Sequence, residues 1–542
     1  MAEQGQERRR RLVLVAAPFQ GHINPLLQLS AVLHSKGFSI TIVHTQFNSP
    51  DPSNYPEFNF LFIQDGLSDH DVASLDLTAI VLALNDKCQL PFQECLARLV
   101  KEQETRDDRI ACVIYDELSY FSEATARNLK LPSIIFRTSN ANTFLARSVI
   151  IEMYVQGRIP LADPLSQKAV LEHPPLRQRD LPISSFGPMK NFFKLIGNVR
   201  DVRRSSAIVY NTMDCLEGSS IAKLQQLCHV PIFAIGSIHK IVPAPSCSLL
   251  EEDTDCMSWL DRQAPSSVIY VSTGSLASMD AKDMLEMAWG LANSEQPFLW
   301  VVRPGSVHGS ERVESLPDGF RAIVGEQQGR VVKWAPQKEV LAHNAVGGFW
   351  SHCGWNSLLE SISEGVPLIC RPSFGDQKVT ARYVSQVWRV GLHLEDELER
   401  GEIESAIRRL MADKEGDEMR QRAMDLKEKA ELCIRIGGSS SNSLNKHTMR
   451  FRHSCRKQVL TNYDESGVVS CSICGKVPIA YEAKDAKKPR MESCSVTADK
   501  VLHTDGKDCG LDYTNENDGL GSLDENKDYE NGSDDDYGNS LW

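Results

Sequence analysis

Short apolar segments alternate with amphipathic ones through the first half of the chain. Runs rich in β-branched residues occupy positions 12–18, 39–45, 111–116, 132–136 and 207–211, and helical spacing lies between them, first at about 23–36. These runs lack the strict polar–apolar alternation of a sheet with one solvated face. Apolar strands separated by helices indicate a parallel sheet covered on both faces. We therefore predict a first α/β domain over residues 1–241.

The same pattern restarts after residues 242–255, a stretch rich in Pro, Ser and acidic residues that we predict to be a linker. Further strands are predicted at 267–273, 298–302, 330–334, 347–350 and 367–370, with helices at 281–292 and 417–436. A second series of βα units predicts a second doubly wound α/β domain, over residues 256–446.

Residues 447–542 differ in character from the rest of the chain. They become rich in Asn, Asp, Gly and Ser, and they show no hydrophobic periodicity after position 501, so we predict a mostly disordered tail. The segment 505–542 holds twelve acidic residues and two lysines, so most of the net charge of −13 belongs to the tail. Neither the tail nor the near-neutral body has the basic character of a nucleic-acid-binding protein.

The fifteen cysteines are scattered and form no disulfide framework. The pair Cys471 and Cys474 is half of a zinc-ribbon pattern without a second pair at suitable spacing, so free thiols are favoured and no metal site is expected. The basic residues 8–11 precede an apolar run that is too short to span a membrane and has no small-residue cleavage pattern. A cytoplasmic protein without membrane insertion is the expectation.

Residues 334–377 combine side chains suited to a nucleotide-sugar site. An apolar strand runs into a predicted helix start at Gly354 or Trp355, where Asn356 and Ser357 are close to free backbone N–H groups. Such a helix N-terminus binds anions, and His352 can donate to a phosphate oxygen.

The same segment offers partners for a base, a ribose and a sugar. Trp334 has a flat face for a base, Glu360 can accept from ribose hydroxyls, and Asp376 with Gln377 suits sugar hydroxyls. All of these positions are predicted at the carboxyl ends of parallel strands, where such sheets bind ligands.

The 44 residues from Trp334 to Gln377 resemble the plant secondary-product glycosyltransferase box of family 1 UDP-glycosyltransferases, which have the GT-B fold. The resemblance extends over about residues 10–445 and includes PFQGHINP, VIYDE and VSTGS; it looks most like the subgroup of steviol and cytokinin glucosyltransferases. It implies inverting transfer of glucose from UDP-glucose to a hydroxyl or carboxyl of a small lipophilic acceptor, such as a terpenoid, flavonoid or hormone. A monomer without cofactor or metal is expected.

The resemblance also implies roles for individual residues of the donor site. Trp334 would stack on uracil beside Ala335 and Gln337, and Glu360 would bind the ribose. The diphosphate would be bound by Ser275, His352, Asn356 and Ser357, and the sugar would face Trp355, Asp376 and Gln377. The resemblance includes a Gln at the last position of the box, here Gln377, as in the glucose-using members of the family.

His22 and Asp116 are the candidate catalytic residues. Each follows or ends a predicted strand, so both are expected at the same edge of the first sheet. A neutral histidine with a carboxylate behind it can act as a general base whose positive charge is stabilised. The resemblance assigns to His22 the removal of the acceptor proton and to Asp116 the stabilisation of the imidazolium.

The acceptor side carries a weaker signal. Thr138 and Ser139 follow a predicted strand, although hydroxyl residues there commonly cap a helix. Acceptor selection is expected from loops of the first domain, at about 65–74, 138–144 and 182–193.

The chain departs from the family pattern in two places, and the second keeps an alternative open. Thr273 occupies a position where relatives usually have a larger apolar residue, and the chain changes character after SNSLNK, where relatives end in a helix that crosses back to the first domain. If that helix is missing, domain closure or stability would suffer, so a catalytically impaired UDP-sugar-binding or scaffold protein is the alternative. A nicotinamide oxidoreductase is disfavoured because no GxGxxG follows the first strand.

Overall fold

The computed structural model describes residues 10–453 except 69–70, 72–75, 104–107, 185, 203, 244–247, 308–315 and 318. The predicted tail beyond 453, with Cys455, Cys471, Cys474, Cys494 and Cys509, lies outside the described residues, as do parts of the predicted linker and acceptor loops.

The first domain is built on a seven-stranded parallel sheet with the strand order β3-β2-β1-β4-β5-β6-β7. Its strands are β1 (Arg11–Val15), β2 (Ser39–His44), β3 (Asn59–Phe62), β4 (Ile110–Asp116), β5 (Ser133–Arg137), β6 (Ile208–Tyr210) and β7 (Ile232–Ala234). In β1, Leu12 and Leu14 enter one apolar cluster and Val13 and Val15 enter another, and all four are buried. Both faces are therefore covered, which explains the continuous apolar runs.

Among the described residues, seven α-helices accompany this sheet. They are α1 (Gln20–Ser35), α2 (Leu77–Lys87), α3 (Gln89–Glu102), α4 (Phe121–Asn128), α5 (Ala141–Val155), α6 (Met189–Arg200) and α7 (Asp214–Leu227). Helix α1 begins three residues before the predicted start, because its N-cap residue Phe19 makes no side-chain cap and thus leaves no polar signal in the sequence.

The second domain has a six-stranded parallel sheet with the order β10-β9-β8-β11-β12-β13. Its strands are β8 (Val268–Ser272), β9 (Phe298–Val301), β10 (Gly329–Val332), β11 (Val346–Ser351), β12 (Leu368–Cys370) and β13 (Gly391–His393). The helices are α8 (Asp255–Leu260), α9 (Ala281–Asn293), α10 (Phe320–Gln328), α11 (Gln337–Ala342), α12 (Trp355–Glu364), α13 (Asp376–Tyr383), α14 (Arg400–Met411) and α15 (Lys414–Ile434). The predicted architecture of two doubly wound α/β domains is confirmed.

Helix α16 (Ser439–His453) returns to the first domain and packs against β7 and β4. Leu444 is buried in the same apolar cluster as Leu12, and Ser440 donates to the backbone oxygen of Gly236. The crossing helix is therefore present, in spite of the altered sequence after SNSLNK. It also extends past residue 446, where the sequence placed the end of the second domain.

Candidate active site

A cavity of about 350 Å³ lies where the carboxyl ends of strands from both sheets meet. Fourteen of the fifteen predicted site residues line it: His22, Thr138, Ser139, Ser275, Trp334, Ala335, Gln337, His352, Trp355, Asn356, Ser357, Glu360, Asp376 and Gln377. The fifteenth, Asp116, is fully buried behind His22. The structure thus brings the predicted donor, catalytic and acceptor residues to a single cavity.

His22 lies in the first turn of α1, and its ring nitrogen Nδ1 faces the end of β4. This nitrogen is 3.0 and 2.9 Å from the two carboxylate oxygens of Asp116, and Thr138 Oγ1 is 2.9 Å from it. Asp116 Oδ1 also accepts from the backbone N–H of Leu118 at 2.9 Å, which holds the carboxylate in place. A proton on Nδ1 directed at Asp116 leaves Nε2 as the basic nitrogen of the ring.

The electrostatic surroundings suit His22 to accept a proton. Burial by itself would lower the pKa of His22, but the negative charge of Asp116, assisted by Glu117 and Asp376, outweighs burial and raises it. The same charges would stabilise an imidazolium if the ring took a proton from a ligand.

A proline in α1 ties this helix to the second domain. Pro25 has no N–H, so the carbonyl of Gly21, four residues earlier, receives no bond from it within the helix. Asn356 Nδ2 donates to that carbonyl at 2.7 Å. The freed carbonyl thus holds Asn356, a predicted diphosphate residue, against the helix that carries His22.

A buried ion pair, which the sequence did not predict, lies next to the predicted catalytic pair. Arg137 Nη1 donates to Glu117 Oε2 at 2.6 Å, and both side chains are almost completely buried. Ser139 Oγ donates to the other oxygen of Glu117 at 2.6 Å, so its proton is used within the protein. Burial would raise the pKa of Glu117, but Arg137 and Arg147 outweigh burial and lower it. The only sequence signal was a charged residue at the end of each of two apolar runs.

On the opposite side, the turn from β11 to α12 forms the predicted diphosphate site. Cys353 has a φ of 65°, an unusual left-handed conformation, and Gly354 then caps α12. The His352 ring fits between two glycines: a Cβ on Gly274 or on Gly354 would approach the ring to 2.5 or 2.4 Å. Burial lowers the pKa of His352 to about 4, so the ring is neutral at pH 7, and its Nδ1 has no hydrogen-bond partner among the described residues.

Glu360, the predicted ribose residue, is hydrogen-bonded to Gln337 of the predicted uracil site. Gln337 Nε2 donates to Glu360 Oε2 at 2.7 Å and lies 3.0 Å from Ser357 Oγ. Burial raises the pKa of Glu360 to about 7. Trp334 is half-buried and packs on the core of the second domain, with one side at the cavity.

The residues predicted at the sugar fall into two groups. Trp355 is 3% exposed and donates from Nε1 to the Asn211 carbonyl at 2.7 Å, while Gln377 Oε1 accepts from the backbone of Ser373 and Phe374. These polar atoms therefore fix the walls of the cavity. Asp376 begins α13 at the cavity, and burial raises its pKa.

Within the described part of the chain, no group of His, Cys, Asp and Glu side chains has the arrangement of a metal site. Over the same residues, no helix is both long and apolar enough to cross a membrane.

The sequence model for UDP-glucoronosyl and UDP-glucosyl transferases matches residues 247–428. UDP-glycosyltransferase 76E1 of Arabidopsis thaliana is 50% identical over 439 residues, which cover 80% of this chain and 96% of that protein. Flavonol 3-O-glucosyltransferase UGT76E12 of the same plant is 49% identical over 442 residues, with coverage of 80% and 95%. The chain therefore belongs to the UDP-glucosyl transferase family, and it is a glycosyltransferase of the EC 2.4.1 class.

Solved structures of plant glycosyltransferases share the fold. Phytolacca americana UGT2, complexed with UDP-2fluoro-glucose and pterostilbene, has a TM-score of 0.69 and 26% identity over 82% of this chain and all of that one. Medicago truncatula UGT71G1, complexed with UDP-glucose, has a TM-score of 0.69 and 25% identity, with coverage of 82% and 98%. The predicted GT-B fold and plant family are confirmed; the steviol and cytokinin subgroup stays a prediction.

Proposed function

We propose that this protein transfers glucose from UDP-glucose to a hydroxyl group of a small lipophilic acceptor, with inversion to a β-glucoside. The observation that supports this most strongly is the position of His22. Its ring is held by Asp116 at 2.9 Å and lines the same cavity as Trp334 and Glu360 of the other domain.

The reaction follows from that arrangement. The acceptor hydroxyl gives its proton to His22 Nε2 while its oxygen forms a bond to the anomeric carbon. The bond from that carbon to the diphosphate oxygen breaks on the opposite face, and its electron pair leaves with UDP. Asp116 stabilises the imidazolium.

The leaving group gains negative charge at the second domain. The N-terminus of α12, together with His352, Asn356, Ser357 and Ser275, lies where it would bind the diphosphate. These groups are uncharged, and the proposed reaction uses no cofactor or metal. We place the reaction in the cytoplasm and assign it to a monomer.

A lipophilic acceptor suits the remaining wall of the cavity. Helix α6 contributes Phe192, Leu195 and Ile196, and Phe186 packs edge-on against Phe374 of the second domain at 5.1 Å between ring centroids. The names of similar proteins mention a flavonol, pterostilbene and, for rice Os79, a trichothecene. A terpenoid, flavonoid or hormone would fill such a space.

Turnover of a mixed acceptor panel tests the proposal. The purified full-length chain is incubated with UDP-glucose and flavonol, stilbene, terpenoid and hydroxy-acid acceptors; UDP release is measured, and proton NMR gives the configuration of the product. A β-glucoside is expected from at least one class. If UDP-glucose binds but no acceptor class raises UDP release above the acceptor-free rate, the impaired-binder alternative is favoured. The structure gives that alternative no support, because the crossing helix α16 is in place.

A further inference from the structure

Arg147 is a cavity residue that neither the donor site nor the catalytic pair uses. It lies near the middle of α5, is partly exposed, and lines the cavity. Among the described residues, its guanidinium makes no hydrogen bond and no ion pair within 4.0 Å. An arginine that lines a cavity without such a partner retains its donors for a ligand.

The helix that carries Arg147 is firmly held. Glu217 accepts from the backbone N–H groups of Ala141 and Asn142 at 2.9 Å, and Asn140 caps the Thr143 N–H at 2.6 Å. Asn140 Nδ2 also donates to Thr380 Oγ1 of the second domain at 3.1 Å. The backbone of α5 therefore fixes where the guanidinium can reach.

Of the carboxylates in this region, Glu117 and Asp116 have other hydrogen-bond partners, and Asp376 is predicted to bind the sugar. Glu117 is paired with Arg137 at 2.6 Å, and Asp116 with His22. Asp376 begins α13, which contacts α5, and it is the residue predicted to accept from sugar hydroxyls. Glu117 and Asp376 each interact electrostatically with both His22 and Arg147, so the two side chains have these carboxylates as common neighbours.

The rest of this part of the cavity is apolar. Helix α6 contacts α5 and lines the cavity with Phe192, Leu195 and Ile196. A cation bordering such a surface has lost part of its hydration, and a planar carboxylate restores the interaction through two parallel hydrogen bonds. The complement of this surface is a lipophilic molecule that carries an anionic group.

We propose that Arg147 determines acceptor specificity by binding a carboxylate, so that the preferred acceptor is a lipophilic hydroxy acid whose hydroxyl group lies at His22. The proposal rests on the proposed function, since it assumes that this part of the cavity holds the acceptor. Arg147 is a binding residue here and does not take part in the proton transfer.

Paired acids and esters provide the test. The probes are 4-hydroxybenzoate, 3-(4-hydroxyphenyl)propanoate and 4-hydroxycinnamate, each with its methyl ester, and kcat/KM is measured for the wild type, Arg147→Gln and Arg147→Lys. Arg127→Gln, which removes the same charge from the surface of α4, is the matched control. For the best acid we expect Arg147→Gln to lose about tenfold to a hundredfold, with Arg147→Lys between. The ester and the KM of UDP-glucose should change less than about twofold.

Acid binding to the UDP-saturated protein, measured by calorimetry, separates this proposal from the proposed function. If acids bind in an Arg147-dependent manner but are not turned over, the carboxylate site is supported and the proposed reaction is contradicted. If esters are turned over with no preference for acids, the proposed reaction is supported and the carboxylate site is overturned. Equal losses for acid and ester in Arg147→Gln, or a weaker UDP-glucose affinity, would also overturn it, as would failure of every acid to bind.

Discussion

The two walls of the cavity differ in how they hold their polar groups. In the first domain the groups around the predicted base are paired before any ligand binds: His22 with Asp116, and Arg137 with Glu117. In the second domain the groups at the N-terminus of α12 are neutral, and the buried Nδ1 of His352 has no partner among the described residues. In the proposed reaction the first wall moves a proton, and the second receives an anion.

The difference separates chemistry from binding. A paired histidine is already oriented and polarised, so its loss should reduce turnover and leave nucleotide affinity intact. Groups that gain partners only from the ligand should contribute to affinity. The variants below test this division, from the largest expected effect to the smallest.

Asp116→Asn should lower kcat about 10²- to 10⁴-fold, because the neutral amide neither stabilises the imidazolium nor fixes its tautomer. It should also shift the acidic limb of the pH–rate profile to lower pH, since the charge that raises the pKa of His22 is lost. Asp163→Asn is the matched control: Asp163 is exposed and accepts from the N–H of Leu165 at 2.9 Å, as Asp116 does from Leu118. A normal kcat in Asp116→Asn would contradict the assignment.

Leu444→Ala should destabilise the protein by about 2–4 kcal/mol, because the leucine of the crossing helix is 2% exposed in the core of the first domain. Leu432→Ala, at a site on α15 that is 47% exposed, should cost much less. Urea unfolding followed by circular dichroism measures both. Equal stability of the two variants would mean that α16 does not hold the domains together.

Trp334→Ala should raise the KM of UDP-glucose about tenfold and change kcat little, because it removes a stacking surface for the base. Trp334→Phe keeps a smaller aromatic face and should retain most of the affinity. Steady-state kinetics at saturating acceptor gives both constants. A large fall in kcat with an unchanged KM would contradict the assignment of chemistry to the first wall and donor binding to the second.

Glu360 should make donor affinity depend on pH. Its pKa is raised to about 7, and only the ionised carboxylate accepts from both ribose hydroxyls, so UDP-glucose affinity should increase about threefold from pH 6 to 8. Glu360→Gln should remove this dependence. Calorimetric titrations at several pH values provide the check, and the same increase in the variant would assign the titration to another group.

The sequence was most informative where neighbours in space are also neighbours along the chain. Most of the donor wall lies within 44 consecutive residues, so its members were predicted together. The fold has to bring β4, β5 and α5 together before the contacts of Arg137, Glu117 and Arg147 can be recognised. No local pattern signals such long-range contacts.

The same reasoning explains which strands were not predicted. The three missing strands, β3, β7 and β13, are all edge strands. Strand β3 ends in Phe62, which is 50% exposed, and the other two have three residues each. An edge strand packs against one neighbour only, so its sequence needs no long apolar run.

The most direct test of the account measures kcat and UDP affinity together in His22→Ala, with His34→Ala on the same helix as control. If a base from the first domain acts on a nucleotide-sugar held by the second, kcat falls at least about a thousandfold while the Kd of UDP stays within about twofold. Retained turnover, or a loss of activity fully explained by weaker UDP binding, would contradict it.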